Sequence, residues 1–190
     1  MRAWLPPFLA ASLVRGGASV VEATSLAAGW TAVVLLVGSV SNIVGGWASD
    51  RWGRVRIITV SQCVSAAFSL SIGWFFHAPL ALILTVAVLY NVFATSDSGA
   101  LSTGVTELAE PSLLGATLAL QSCLGFLAAA VAPSAMGFVL DALQLLAVGK
   151  AAASPWQWGP AFGILGLGVL FGPLSMLVLI RAQARKTLQA

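Results

Sequence analysis

Few residues in this chain could do ionic or proton chemistry. Nine Lys or Arg, six Asp or Glu and one His stand among 190 residues. The densest group is Asp50-Arg51-Trp52-Gly53-Arg54-Val55-Arg56, one carboxylate and three guanidinium groups around a glycine. Such a group can form charge-assisted pairs with carboxylates brought near it. Asp97 is the one acidic residue well inside an apolar run. Ionisable groups in that setting are costly, and their default reading is functional. Asn42, Asn91 and Gln121 are polar positions in separate apolar runs. Each could face a solute pathway or hydrogen-bond a neighbouring helix, the second being the commoner role. Thr85, Ser122 and Ser134 carry less information, because hydroxyls bond back to their own helix. Tyr90, Phe93 and Phe126 could line a cavity, with packing or lipid contact the commoner roles for such rings.

Other chemistry finds little support. Cys63 and Cys123 both fall in apolar runs and read as small buried side chains. No Cys/His cluster offers a metal site, and His77 beside Pro79 reads as interfacial. There is no Walker loop, no His-Glu-x-x-His and no Gly-x-Ser-x-Gly. The sequence therefore predicts neither an enzyme nor a cofactor.

The elements that carry these residues follow from composition. Apolar residues make up 59% and charged residues 8%, with mean hydropathy +0.97. Soluble domains carry about 25% charged residues. Neither a soluble globule nor a disordered chain fits. The net charge of +3 forms no continuous basic patch, so nucleic acid is not an expected partner. The lipid bilayer is.

A span needs about 20 apolar residues. Five runs qualify, at 23–48, 57–76, 80–105, 115–140 and 158–180. They lack the alternation of barrel strands. The stretch 4–14 is apolar but short. As a helix it would cover about 16 Å of a hydrocarbon core of about 30 Å. It reads as the end of a span that begins upstream. A signal peptide led by Arg2 and a re-entrant piece are the alternatives. Pro6-Pro7 argues against the signal peptide.

Basic residues set the expected topology. Arg51, Arg54, Arg56, Arg181, Arg185 and Lys186 fall on one side of the five spans, and only Arg15 and Lys150 on the other. The positive-inside rule makes the first side, with the C-terminus, cytoplasmic. Trp47 and Trp52 then fall at the inner interface, and Trp74, Trp156 and Trp158 at the outer one. The connection 141–157 is Ala/Leu-rich, with Lys150, Ser154 and Pro155 as its break.

The residues Gly46-x-x-x-Asp50-Arg51-x-Gly53-Arg54 resemble the signature loop of the major facilitator superfamily of transporters. Val55 stands where a second basic residue is usual, and Arg56 follows it. Glu107-Leu108-Ala109-Glu110-Pro111 with Gly115-Ala116-Thr117 is similar to the family's cytoplasmic connection between helices ten and eleven. Gly125, Pro133 and Gly137 are similar to its glycine- and proline-bearing helices. On this resemblance the fold is all-α: five full transmembrane helices plus a partial one, matching one six-helix half of the family's fold. The spans correspond to helices eight to twelve, and 4–14 to the end of helix seven.

Physical roles can be assigned at this spacing. Gly46 would let two helices approach closely, and Gly53 would allow a tight turn. Asp50 could meet a helix N-terminus. The loop is then either a charged turn or, as the resemblance implies, a latch that holds the cytoplasmic side in one state and releases it in the other. Asp97 lies 17 residues after Leu80, about 26 Å along a helix, in the cytoplasmic third. Three roles are open to it: an ion-pair latch with Arg54 or Arg56, proton or substrate coupling, or a solvated vestibule.

The expected function is secondary transport of a small solute by alternating access in the plasma membrane, with the proton as the driving ion the family implies. The chain would act as half of a longer transporter, completed by an amino-terminal half or a second copy. The alternative is a half-bundle that transports nothing and pairs with another chain.

Overall fold

An apolar setting offers backbone N–H and C=O groups no water, so a chain this apolar must satisfy them inside each segment, and helices do so. The computed structural model describes residues 1–146 and 155–187. The helices run in order α1 (Leu5–Arg15), α2 (Val20–Trp52), α3 (Arg54–Ile72), α4 (Leu80–Leu108), α5 (Leu114–Leu146) and α6 (Pro155–Thr187). Short 3-10 turns at Gly73–His77 and Pro111–Leu113 extend α3 and precede α5. No strand occurs among the described residues.

Five helical stretches are long and apolar enough to cross a membrane, and they coincide with the five runs read from the sequence. The chain is in this sense an integral membrane protein in contact with lipid. The helices outrun their apolar runs. At 33 residues, α2 is about 50 Å long.

Connections are correspondingly short. Gly53 alone separates α2 from α3, with φ 94°. A residue with a Cβ adopts that conformation only at a cost. Gly17, φ 97°, turns the chain between α1 and α2. Ser19 then caps α2: its hydroxyl accepts from the Glu22 amide at 3.3 Å, and its own amide donates to Glu22 Oε2 at 3.2 Å. Pro79 opens α4, where its missing N–H is no loss.

Two close helix pairs form the body, α2 with α4 and α3 with α6, and α3 against α4 joins them. Glycines permit the approach. A Cβ at Gly38 would overlap the Asn91 amide, and one at Gly45 would overlap the Ser96 backbone. On the second pair, a Cβ at Gly166 would press on Leu70 and Ala66, and one at Gly172 would overlap Gln62. Gly46, expected to make a close approach, faces open space. Its neighbour Gly45 makes it instead.

Polar groups reinforce the α2–α4 crossing. Asn91 is buried and donates to the Val34 carbonyl at 2.8 Å. Thr95 donates to the Gly38 carbonyl at 2.9 Å, and Ser41 to the Val92 carbonyl at 3.0 Å. Tyr90 donates to Ser69 at 2.9 Å, and Ser69 to the Phe162 carbonyl at 2.9 Å, tying α4, α3 and α6.

The apolar core lies toward the Leu80 end of α4. Phe8 of α1 sits edge-on to Trp158 and Phe162, with ring centroids 5.2 and 5.3 Å apart. Phe76 stacks on Trp158 at 6.4 Å. Trp158, near the start of α6, is thus a buried core residue. Trp74 and Trp156, both exposed, meet edge to face beside it. Cys63 and Cys123, read as buried, are both exposed and free. Their runs are apolar all round, so sequence alone could not say which face turns inward. Lys150 and Ser154 lie outside the described residues, and Pro155 is the first residue of α6.

Helix α5 stands apart. Met136 is its one buried residue among those described, and Leu120, Leu124, Phe126, Leu127 and Phe138 are exposed. It leans on α6 and touches α4 lightly. Trp4 anchors it by donating to the Pro133 carbonyl at 2.9 Å, with Gly137 leaving room for the ring.

The glycine geometry makes a paired prediction. Gly45→Ala should destabilise the bundle by about 1–3 kcal/mol. Gly46→Ala should leave it unchanged or gain up to about 1 kcal/mol of helix propensity. Thermal unfolding of both variants in one detergent checks this.

Candidate functional site

The signature residues occupy the junction of α2 and α3. Because the turn is one glycine long, Asp50 in the last turn of α2 and Arg54 at the start of α3 lie close together. Arg54 Nη2 is 3.2 Å from Asp50 Oδ1. The Arg54 fork also grips Glu107 near the end of α4, with Nε to Oε2 and Nη2 to Oε1 both at 2.7 Å. Two parallel N–H···O bonds of this length form the strongest geometry a guanidinium and a carboxylate adopt. One cation thus joins α2, α3 and α4 at their common end. Arg51 and Arg56 are exposed beside it and make no ion pair among the described residues.

Glu107 entered the sequence reading only as part of a connecting segment. Its role as the partner of Arg54 depends on the α3–α4 crossing, which no local pattern encodes. A cavity of about 310 Å³ opens beside the clasp, lined by Arg54, Ile58, Leu101, Gly104, Glu107 and Met176.

Asp97 has a different partner. It accepts from Gln62 Nε2 of α3 at 3.2 Å and is half-buried. The ion pair with Arg54 or Arg56 that its depth suggested is not formed in this structure. Arg54 is taken by Glu107 and Asp50, and Gln62 stands against Asp97. Gln62 Oε1 is buried with no hydrogen-bond partner.

The three amides differ in kind. Asn91 is committed to the α2–α4 crossing. Asn42 is half-buried on α2, and its Oδ1 has no partner. Gln121 of α5 reaches Ser102 of α4 at 3.5 Å, with its Oε1 also unpartnered.

A larger cavity, about 710 Å³, lies between α4, α5 and α6. Ala94, Ala129, Ala132 and Gly168 line it from near the middle of the three helices, and Arg2 lines it where the chain enters α1. The sequence reading used Arg2 only as a charge near the N-terminus. Its place in the cavity follows from how α1 docks on Phe76, Trp158 and Phe162.

Comparison with protein-family models, with curated proteins and with solved structures gives no match.

The geometry predicts energetic coupling at the clasp. Arg54→Gln and Glu107→Gln should be strongly non-additive in thermal unfolding, the double variant resembling the worse single one. The coupling should shrink as salt is raised, because both groups are solvent-accessible. Arg54→Gln and Asp97→Asn should be additive.

Proposed function

We propose that the chain is one helical half of a secondary transporter of the major facilitator type, moving a small solute by alternating access without covalent chemistry. The observation that carries this reading is the clasp of Arg54 on Glu107 and Asp50. The signature loop of the resemblance is one that latches and releases, and a latch requires a partner on another element. Glu107, on a helix distant in sequence, is such a partner. The clasp is partly exposed, so it can open without stranding a buried charge. A cavity near mid-helix also suits this class, whose solute sites lie near the bilayer midplane.

On this reading the Arg54 end is cytoplasmic, the membrane is the plasma membrane, and the driving ion is the proton. Asp97, paired only to an amide, is the residue assigned to coupling. An amino-terminal half or a second copy completes the pathway.

One observation favours the second reading, a half-bundle that transports nothing and pairs with another chain. The apolar surface of α5 is almost wholly open. Lipid covers such a surface equally well, so transport remains the preferred reading.

The test is uptake. Proteoliposomes containing the full chain should accumulate at least one solute of a broad panel above empty liposomes. Glu107→Gln should slow uptake severalfold while leaving the protein folded. A well-folded chain that moves nothing, alone and with an amino-terminal half of the same family, would favour the structural reading.

A further inference from the structure

Helices α2 and α3 meet at Gly53, but each packs on α4 more than on the other. They splay from the turn and leave a groove of about 630 Å³ with α4 as its floor. Val37, Val44 and Trp52 of α2, Ile57 and Val60 of α3 and Phe93 of α4 line it. Val37, Val44, Trp52 and Val60 are exposed, so the groove opens outward. Its hydroxyls are spent inside the protein. Ser41 donates to the Val92 carbonyl at 3.0 Å, and Ser96 donates to Ser61 at 2.9 Å. From Val37 to Trp52 the groove extends about 22 Å along α2. One leaflet supplies half of a hydrocarbon core about 30 Å thick. The groove is long enough for an acyl chain of a single leaflet.

Cations stand at its Gly53 end. Arg51 lies seven and fourteen residues beyond Val44 and Val37 and continues their stripe on α2. Arg56 lies four residues before Val60, on the same face of α3. Both are exposed and make no ion pair among the described residues. The clasp carboxylates, Asp50 and Glu107, are taken by Arg54. Trp52 meets Trp47 edge to face at 5.7 Å at the same end. Such rings sit at headgroup level. The mouth therefore offers two unpaired guanidinium groups and an indole, and the depth offers only hydrocarbon contact. A phosphate matches the first and an acyl chain the second. A zwitterionic lipid brings a cation of its own to the arginines, and an anionic one does not.

We infer that this groove binds one anionic phospholipid of the leaflet on the Arg54 side, with its phosphate at Arg51 and Arg56 and an acyl chain running past Val60 and Val44. The inference needs only the membrane placement of the chain and holds whether or not the chain transports.

The test offers the full chain, in detergent, equal amounts of phosphatidylglycerol and phosphatidylcholine with identical acyl chains. Retained lipid is read by native mass spectrometry, and circular dichroism checks that each variant is folded. One phosphatidylglycerol should be retained in preference to phosphatidylcholine by roughly tenfold or more, the scale of two cations at a lipid surface. The double variant Arg51→Gln, Arg56→Gln should lose that preference, and Arg51→Lys, Arg56→Lys should keep part of it. Arg15→Gln, remote from the groove, should leave it intact. Val60→Phe, which fills the groove without touching a charge, should lower phosphatidylglycerol retention severalfold. Equal retention of the two lipids, or an undiminished preference in the double Gln variant, would overturn the inference. So would retention indifferent to Val60→Phe, which would leave headgroup attraction alone, or a lipid-free dimer, which would give the groove to a second copy.

Discussion

The close crossing of α2 and α4 is the constraint on which the rest depends. Between helices in lipid there is no hydrophobic force to hold them, only contact and hydrogen bonds. Here contact is possible because Gly38 and Gly45 carry no side chain, and Asn91 and the Ser96 backbone fill the space. Asn91, Thr95 and Ser41 then bond across the gap to backbone carbonyls. This crossing fixes where α4 runs and hence where Glu107 ends up. Arg54 finds it there because α2 and α3 turn on a single glycine. The same placement of α4 sets one wall of the mid-helix cavity, so the clasp and the cavity both follow from one packing event.

The fold was largely legible in the sequence for a physical reason. In lipid, apolar length alone decides whether a segment spans, and the five apolar runs correspond to the five long helices. Pro79 and Gly53 fall at helix boundaries, as their backbone limits require. The start of α2 is marked too, by the Ser-x-x-Glu capping pattern at 19–22. Faces were another matter. With apolar residues all round each helix, no periodicity separates lipid side from protein side. That is why the sequence reads Cys63 and Cys123 as buried and the close approach at Gly46, where the structure has both thiols exposed and the approach at Gly45.

The candidate site divides along the same line. Residues close in sequence, Asp50 with Arg54 across Gly53, could be read as a unit. Residues joined only by helix crossings could not. Asp97 stands out in the sequence as the acidic residue well inside an apolar run, yet its neighbour is Gln62, a residue with no distinguishing pattern of its own. Arg2 had no signal, since its meaning comes from the docking of α1 on the aromatic core. Arg54 and Asp97 thus take separate partners instead of each other. The guanidinium binds at the helix ends, where water can reach it, and the inner carboxylate rests on a neutral amide.

The central claim is that the Arg54 end of the bundle has two arrangements, clasped and released. Spin labels on the exposed positions Arg51 and Thr106, in lipid bilayers, would report the distance across that end directly. The account predicts a short-distance population with the clasp intact and a second, longer one that grows when Glu107 is replaced by Gln. A single distance distribution, unchanged by that replacement, would contradict it and leave the clasp as a fixed structural tie.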